Sequence, residues 1–304
     1  MSEVAPKVAI AASCEHPDSA PLPARVCGVD TRTRLTKTLE KKGYRVVDDA
    51  SSADEIIEPC RIYAGNQQLS LCRDGLREVE TQLLLSLRKN VDGMVARHLN
   101  RKISGWVSGL VMNTRLRPNH VTVFTIVLGV LAGPAVAMGS WAWGVVGASL
   151  LQLQSILDGV DGELSRLKFQ GSKLGEWLDT ISDDVSNLSF FAGATYVATE
   201  PWVQAVGLAG MGTFVVMQSI LYYLLATVFR SGNLQVFQWE VGSKDGLFAR
   251  IEWMFKRDFF CLLFLALAIA DQLAVAVLIF SVGTVISFIT LLLQLARGGV
   301  KAPG

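Results

Sequence analysis

Two hydrophobic patterns divide the chain. Up to about residue 118, apolar positions stand singly or at helical spacing among charged ones; beyond it they fuse into long runs. Residues 7–12 (KVAIAA) read as a short strand, and residues 31–42 as a helix with Leu35 and Leu39 on its apolar stripe, ended by Gly43. Residues 44–47 suit a second strand, and the acidic stretch 51–58 reads as a loop. These elements predict a small α/β unit, short for an independent core. Residues 74–87 predict an amphipathic helix with Leu76, Val79, Leu83 and Leu87 on one face. In residues 91–116, Arg97, Arg101 and Lys102 interleave with Val95, Leu99, Ile103, Trp106, Val107 and Leu110. A basic helix with an aromatic on its apolar side suits a membrane surface, docking on the N-terminal unit being the plainer alternative.

A membrane-crossing helix needs about 20 mostly apolar residues. Residues 121–139, 141–157, 174–197, 202–229, 259–270 and 273–295 read as six spans, the fifth short unless it starts near Ile251. Composition agrees: the chain is 51% hydrophobic and 18% charged, below the usual ~25%, with a mean hydropathy of +0.38. The net charge of +1 lacks the basic excess of a nucleic-acid binder, and no nucleic-acid partner is expected. The five cysteines form no CxxC pair, and the N-terminus has no basic stretch ahead of an apolar core, so no cleaved signal peptide is expected. Lys and Arg are missing from the loops at Ser140, at residues 199–201 and at Asp271–Gln272. They collect on the opposite side, as Arg166, Lys168, Lys173, Arg230, Lys244, Arg250, Lys256 and Arg257. That asymmetry puts both termini in the cytoplasm. The expected fold is an all-α integral membrane protein: six transmembrane helices preceded by an amphipathic interfacial helix, with a small N-terminal α/β cytoplasmic unit. The expected domains are residues 1–88, 89–117 (the juxtamembrane helix) and 118–304. The glycines at 129 and 133, and at 207, 210 and 212, read as sites of close helix packing.

The chemistry lies in residues 158–184, DGVDGELSRLKFQGSKLGEWLDTISDD. Asp158 and Asp161 are three apart at the end of the second span, and Asp179 and Asp183 four apart in the third. Such pairs share a helix face, so two antiparallel helices can aim four carboxylates at one point. Acids in or near hydrocarbon are costly and usually functional. Four converging negative charges repel unless a cation sits among them, and hard oxygen ligands select Mg²⁺, Mn²⁺ or Ca²⁺. The plainer alternative is a solvated loop whose acids pair with Arg166, Lys168 and Lys173; it suits Glu163 and Glu176 but not Asp179 and Asp183, which stand among Trp177, Leu178, Ile181 and Val185.

Asp158-x-x-Asp161-Gly162-x-x-Ser165-Arg166, eight residues, then Gly175-x-x-x-Asp179-x-x-x-Asp183 resembles the signature of the CDP-alcohol phosphotransferase (CDP-alcohol phosphatidyltransferase) family, with Ser165 where the family has Ala. Pro118-Asn119-x-x-Thr122 is similar to the family's PN-x-x-T element, and the likeness covers residues 90–296. The resemblance implies six transmembrane helices, usually in a homodimer, and a cytoplasm-facing site holding two Mg²⁺ or Mn²⁺ ions. It implies an enzyme that displaces CMP from a CDP-alcohol with the hydroxyl of a second alcohol. Asp158, Asp161, Asp179 and Asp183 would hold the metals, Asp183 serving also as general base. Asn119, Thr122, Asp158, Gly162, Ser165, Arg166 and Gly175 would bind the nucleotide. Phosphoryl-group transfer needs positioning and charge stabilisation more than covalent protein chemistry, which suits such a set.

The stretch from Asp92 and Gly93 through Arg97, Asn100 and Arg101 to Ser104 is similar to the entry segment of the di-myo-inositol phosphate phosphate synthase group. Members of that group often carry an N-terminal cytidylyltransferase domain. The unit here is shorter and lacks a glycine-rich signature; residues 26–45 read as a degenerate remnant without such activity. A polyol-phosphate acceptor such as inositol phosphate would need cations. Arg230 and Arg257 are the candidates, with Arg250 and Lys256 nearby and simple positive-inside anchoring as the alternative. CDP-polyol and CDP-diacylglycerol, the latter for phospholipid synthesis, both stay open as donors. A non-catalytic scaffold of the same fold and an acidic cation transporter are the remaining alternatives.

Overall fold

The computed structural model describes residues 5–12, 22–87, 95–237 and 256–297. Asp30 opens the first helix by accepting a hydrogen bond from the Thr33 amide at 2.9 Å. This helix, α1 (Thr31–Lys41), is followed by Gly43 at φ 87°, a left-handed value that glycine tolerates best. Its buried residues are Thr31, Arg34, Leu35 and Leu39, and the two leucines pack against Val8, Ile10 and Ile57. Strands β1 (Lys7–Ile10), β4 (Arg45–Val47) and β5 (Glu55–Ile57) form a parallel sheet in the order β4-β1-β5. Two small antiparallel hairpins join β2 (Arg25–Val26) to β3 (Val29–Asp30) and β6 (Arg61–Ala64) to β7 (Gln67–Ser70). The stretch expected as a loop at 51–58 thus contains a strand. Glu55, Ile56 and Ile57 pair with Val8, Ala9 and Ile10, and three residues are too few for a period to show in the sequence.

The amphipathic segment at 74–87 forms α3 (Leu76–Ser86), separated from the short α2 (Leu71–Asp74) by Gly75 at φ 77°. The basic segment is shorter than expected, a π-helical turn (Ala96–Asn100) leading into α4 (Arg101–Val111). Asp92, Gly93, Lys244, Arg250 and Ile251 lie outside the described residues.

Among the described residues six α-helices follow: α5 (Pro118–Ala137), α6 (Trp141–Leu167), α7 (Lys173–Tyr196), α8 (Pro201–Leu224, extended by a π-helical turn Leu225–Phe229), α9 (Arg257–Ile269) and α10 (Leu273–Ala296). Among the described residues three stretches are long and apolar enough to cross a membrane: Pro118–Ala137, Pro201–Phe229 and Leu273–Ala296. α6 and α7 have the length but carry the acids, and α9, at 13 residues, falls short of the ~20 a span needs. α6 runs ten residues past the apolar stretch that ends at 157, so Gly162, Ser165 and Arg166 are helical.

The described residues fall into two compact units. The first takes those within Met1–Asn90, Gly105–Arg117 and Gly162–Gln170, the second those within Val91–Ser104, Pro118–Asp161 and Gly171–Gly304. The core of the second is aromatic and aliphatic, with Phe190, Phe191 and Phe264 against Leu151, Ala132 and Val277. The close approach of α5 to α7 depends on glycine. A Cβ at Gly129 would stand 1.8 Å from Ser186 Oγ, and one at Gly133 2.1 Å from the Ser189 carbonyl oxygen. Gly207 and Gly210 are equally crowded, by Thr195 and Ser281, whereas Gly212 faces open space. The packing reading therefore holds for four of those five glycines.

Candidate active site

Helix geometry makes the site. Asp158 and Asp161, three apart on α6, share a face. α7 begins at Ser172, whose hydroxyl accepts the Gly175 amide at 3.0 Å. Two turns on, Asp179 meets the α6 pair, and one oxygen each of Asp158, Asp161 and Asp179 lie within 4.8 Å of one another. Asp161 is buried, and Oδ2 accepts a 2.6 Å hydrogen bond from the buried Thr122 hydroxyl of α5. Asp158 Oδ1 is buried without a hydrogen-bond partner among the described residues. Like charges this close repel, and a buried carboxylate oxygen without a partner is costly. A hard divalent cation relieves both, and the all-oxygen donor set is the kind that Mg²⁺ or Mn²⁺ takes. The residues therefore fit such an ion.

Asp183, the fourth carboxylate of the signature, is not one of this group of three. Asp183 lies four residues beyond Asp179, roughly 6 Å further along the helix. Asp183 Oδ1 faces Arg257 Nη1 at 2.7 Å and accepts from Gln154 Nε2 at 3.2 Å, and Arg257 Nη2 also donates to Gln154 Oε1. Gln154, fully buried, was not singled out in the sequence, although an amide inside an apolar helix was the available signal. Asp184 was also passed over. It is buried and accepts hydrogen bonds from Gln218 Nε2 and the Tyr222 hydroxyl of α8. The signal there was a pair of polar residues four apart in an apolar run.

At Gly175 a Cβ would stand 3.2 Å from Ser172 Oγ and 3.9 Å from Asn119 Oδ1, so the missing side chain leaves room beside Asn119. Gly162, Ser165 and Arg166 occupy the last turns of α6, with Arg166 Nη1 3.4 Å from where a Gly162 Cβ would be. Arg230 is exposed, at φ 50°, just after the turn that ends α8. The other acids and Lys168 have partners on the neighbouring segments. Glu163 is buried and accepts from Ser108 at 2.6 Å, Glu176 accepts from Ser231, and Lys168 donates to the Thr114 and Leu116 carbonyls. Glu163 and Lys168, at the end of α6, are buried, whereas Glu176 on α7 is exposed.

The chain matches the model of the family described as CDP-alcohol phosphatidyltransferase over residues 115–295. It is 41% identical over 130 residues to the "Bifunctional IPC transferase and DIPP synthase" of Thermococcus kodakarensis, covering 42% of this chain and 29% of that protein. A protein of the same name from Aquifex aeolicus is 33% identical over 111 residues, covering 36% of this chain and 25% of its own length. One from Rubrobacter xylanophilus is 32% identical over 138 residues, covering 43% and 31%. The chain thus spans less than a third of the length of each of these relatives. The family match takes in well over half of the 304 residues and includes all the carboxylates described above, so the chain belongs to the CDP-alcohol phosphatidyltransferase family.

Proposed function

We propose that the chain is a membrane-embedded transferase that displaces CMP from a CDP-alcohol with the hydroxyl of a polyol phosphate, forming a phosphodiester. The observation that carries this reading is the Asp158, Asp161 and Asp179 cluster on the matched signature. The names of the relatives, each both an IPC transferase and a DIPP synthase, favour a polyol phosphate such as inositol phosphate over diacylglycerol chemistry.

In this reading the three clustered aspartates, with Asp183, hold divalent metal, which when bound supplies positive charge to the diphosphate. Thr122 orients Asp161 through its 2.6 Å hydrogen bond. Asn119, Gly162, Ser165, Arg166 and Gly175 receive the cytidine nucleotide, the two glycines leaving space for it. Asp183 takes the proton of the attacking hydroxyl. The hydroxyl oxygen forms a bond to the phosphorus that bears the donor alcohol. The bond from that phosphorus to the CMP oxygen breaks, and its electron pair leaves with CMP. Arg257 and Arg230 attract the acceptor phosphate; Arg257 is already held beside Asp183, which would bring that phosphate's hydroxyl-bearing ring close to the base. Six spans, cytoplasmic termini and site, and a homodimer complete the reading. The lysine- and arginine-free loops on one side support the orientation.

The test is CMP release by the purified protein with Mg²⁺ or Mn²⁺. CDP-inositol and CDP-diacylglycerol serve as donors, inositol phosphate and glycerol phosphate as acceptors. Release with CDP-inositol plus inositol phosphate, lost in Asp183→Asn, is the expected result. Release from CDP-diacylglycerol alone would move the assignment to phosphatidyl transfer. Absence of release from every donor would favour a scaffold.

A further inference from the structure

The N-terminal residues have no part in the chemistry above, yet their unit contains the end of the signature helix. Gly162–Gln170 and Gly105–Arg117 belong to the same compact unit as β1–β7 and α1. Three contacts inside that unit converge on the last turn of α6. Arg34, 3% exposed, lies on the buried stripe of α1 and donates Nε to the Val26 carbonyl at 3.1 Å and Nη2 to the Leu167 carbonyl. The Leu167 carbonyl is one of those a helix leaves unpaired at its C-terminal end, and a guanidinium there also meets the negative end of the helix dipole. Phe169, next to the helix end, has φ 53°, which few residues other than glycine adopt. Its ring is faced by three cations of α1: Arg34 at 5.3 Å, Lys37 at 5.7 Å and Lys41 at 4.8 Å. Between them, Lys168 donates to the carbonyls of Thr114 and Leu116 at 2.8 and 2.7 Å, tying the same turn to the segment that leads into Asn119. Gly28 also comes so close that a Cβ would stand 2.6 Å from the Met112 carbonyl oxygen and 3.5 Å from Lys168 Cε.

These contacts are directional rather than a general apolar docking. A buried guanidinium with one partner on each side is costly to leave half-satisfied, so it selects one rotation of the α6 end. Leu167 is one residue beyond Arg166, two beyond Ser165 and five beyond Gly162 on a continuous helix. Holding the Leu167 carbonyl and the Phe169 ring therefore sets the direction of the three residues assigned to the nucleotide, whereas the acceptor candidates Arg230 and Arg257 belong to the other unit. We propose that the N-terminal α/β unit is a positioning clamp for the donor side of the site, with Arg34 as its positioning residue, acting through the C-terminal turn of α6 on Gly162, Ser165 and Arg166. The donor assignment rests on the function proposed above; the clamp itself does not.

The experiment uses the full chain in detergent or nanodiscs, with a donor from which the wild type releases CMP. Two quantities are read for Arg34→Ala, Arg34→Lys and the double variant Lys37→Ala/Lys41→Ala: the KM for each substrate, and amide hydrogen exchange at residues 162–170. Arg34→Ala is expected to raise the donor KM about tenfold or more, as for loss of a buried charge-assisted hydrogen bond, and to leave the acceptor KM unchanged. Exchange at 162–170 rises in the same variant, and Arg34→Lys recovers part of both effects. The double variant alters only exposed lysines and keeps the fold; it raises the donor KM a few-fold through the lost cation–π contacts. An unchanged donor KM in a folded Arg34→Ala, or equal rises in both KM values, overturns the proposal. If Arg34→Ala does not fold, an unchanged donor KM in the double variant overturns it. If the wild type releases CMP from no donor, the proposed function falls, and unchanged exchange at 162–170 in Arg34→Lys and the double variant then overturns the clamp on its own.

Discussion

Thr122→Val removes one hydroxyl and keeps the shape of the side chain. Thr122 is 3% exposed and Asp161 6%, so water does not replace the lost partner. The hydroxyl has two acceptors within reach, the Pro118 carbonyl at 3.2 Å and Asp161 Oδ2 at 2.6 Å, but only one proton. The shorter contact, onto an ionised oxygen, takes it. A hydrogen bond to a charged group contributes about 1.5–3 kcal/mol. At about 1.4 kcal/mol per tenfold, that corresponds to roughly 10–150-fold in an equilibrium constant. Loss of a partner that orients a metal-binding carboxylate typically costs 10–100-fold in metal affinity or activity, and the two ranges overlap. The assay is CMP release as a function of Mg²⁺ or Mn²⁺ concentration at saturating donor and acceptor. The half-saturating metal concentration is expected to rise at least tenfold in Thr122→Val, with most of the maximal rate regained at high metal, while Thr122→Ser stays near wild type. A metal dependence in Thr122→Val equal to that of wild type would refute the reasoning. It would mean that Asp161 needs no orienting group, or that the cluster holds no metal.

Three further outcomes are expected. Arg257→Ala raises the acceptor KM and destabilises the protein by roughly 1–3 kcal/mol, below the 3–5 of a fully buried pair because both partners are about a quarter exposed; an acceptor KM unchanged in both Arg257→Ala and Arg230→Ala removes these residues from the acceptor site. Gly133→Ala forces α5 away from α7 at a cost of about 1–3 kcal/mol, partly offset by about 1 kcal/mol of helix propensity. Gly212→Ala, with nothing within 4 Å, keeps only the gain, so the Tm of the first falls and that of the second does not. Burial pushes the Cys27 thiol from its ordinary 9.0 up to about 12, so iodoacetamide at pH 8 leaves it unmodified in the folded protein and, among the described cysteines, reacts first with the half-buried Cys72. Since the unfolded thiol gives up its proton from about pH 9 and the folded one only near 12, this group's contribution to stability is complete below pH 9 and declines across that window.

Local chemistry was readable where a pattern repeats at the period of the element. Leu35 and Leu39 marked α1, and Gly43 its end. The aspartate spacing marked the site, because residues three and four apart on a helix share a face whatever surrounds it. β5 could not be read, since a three-residue strand exists only through its pairing with β1. The apolar run marks α6 only as far as 157, while the helix continues to Leu167 through polar residues. Arg34 lies within the predicted helix, and nothing in the order of residues tells that its guanidinium reaches a carbonyl 133 positions away.

The sequence by itself determined the family signature, the long apolar runs and the two pairs of acids, since all of these are properties of spacing along one chain. Only the tertiary structure decided how the acids divide. Three aspartates converge, while Asp183, a turn further along α7, turns to Arg257 and Gln154, and Asp184 to α8. The physical reason is that spacing sets which face of a helix a carboxylate occupies, but its charge is balanced by whichever groups other helices bring to that face. Those groups come from distant parts of the chain, Gln154 29 positions before Asp183 and Gln218 and Tyr222 34 and 38 after Asp184, with no local signal that they will meet.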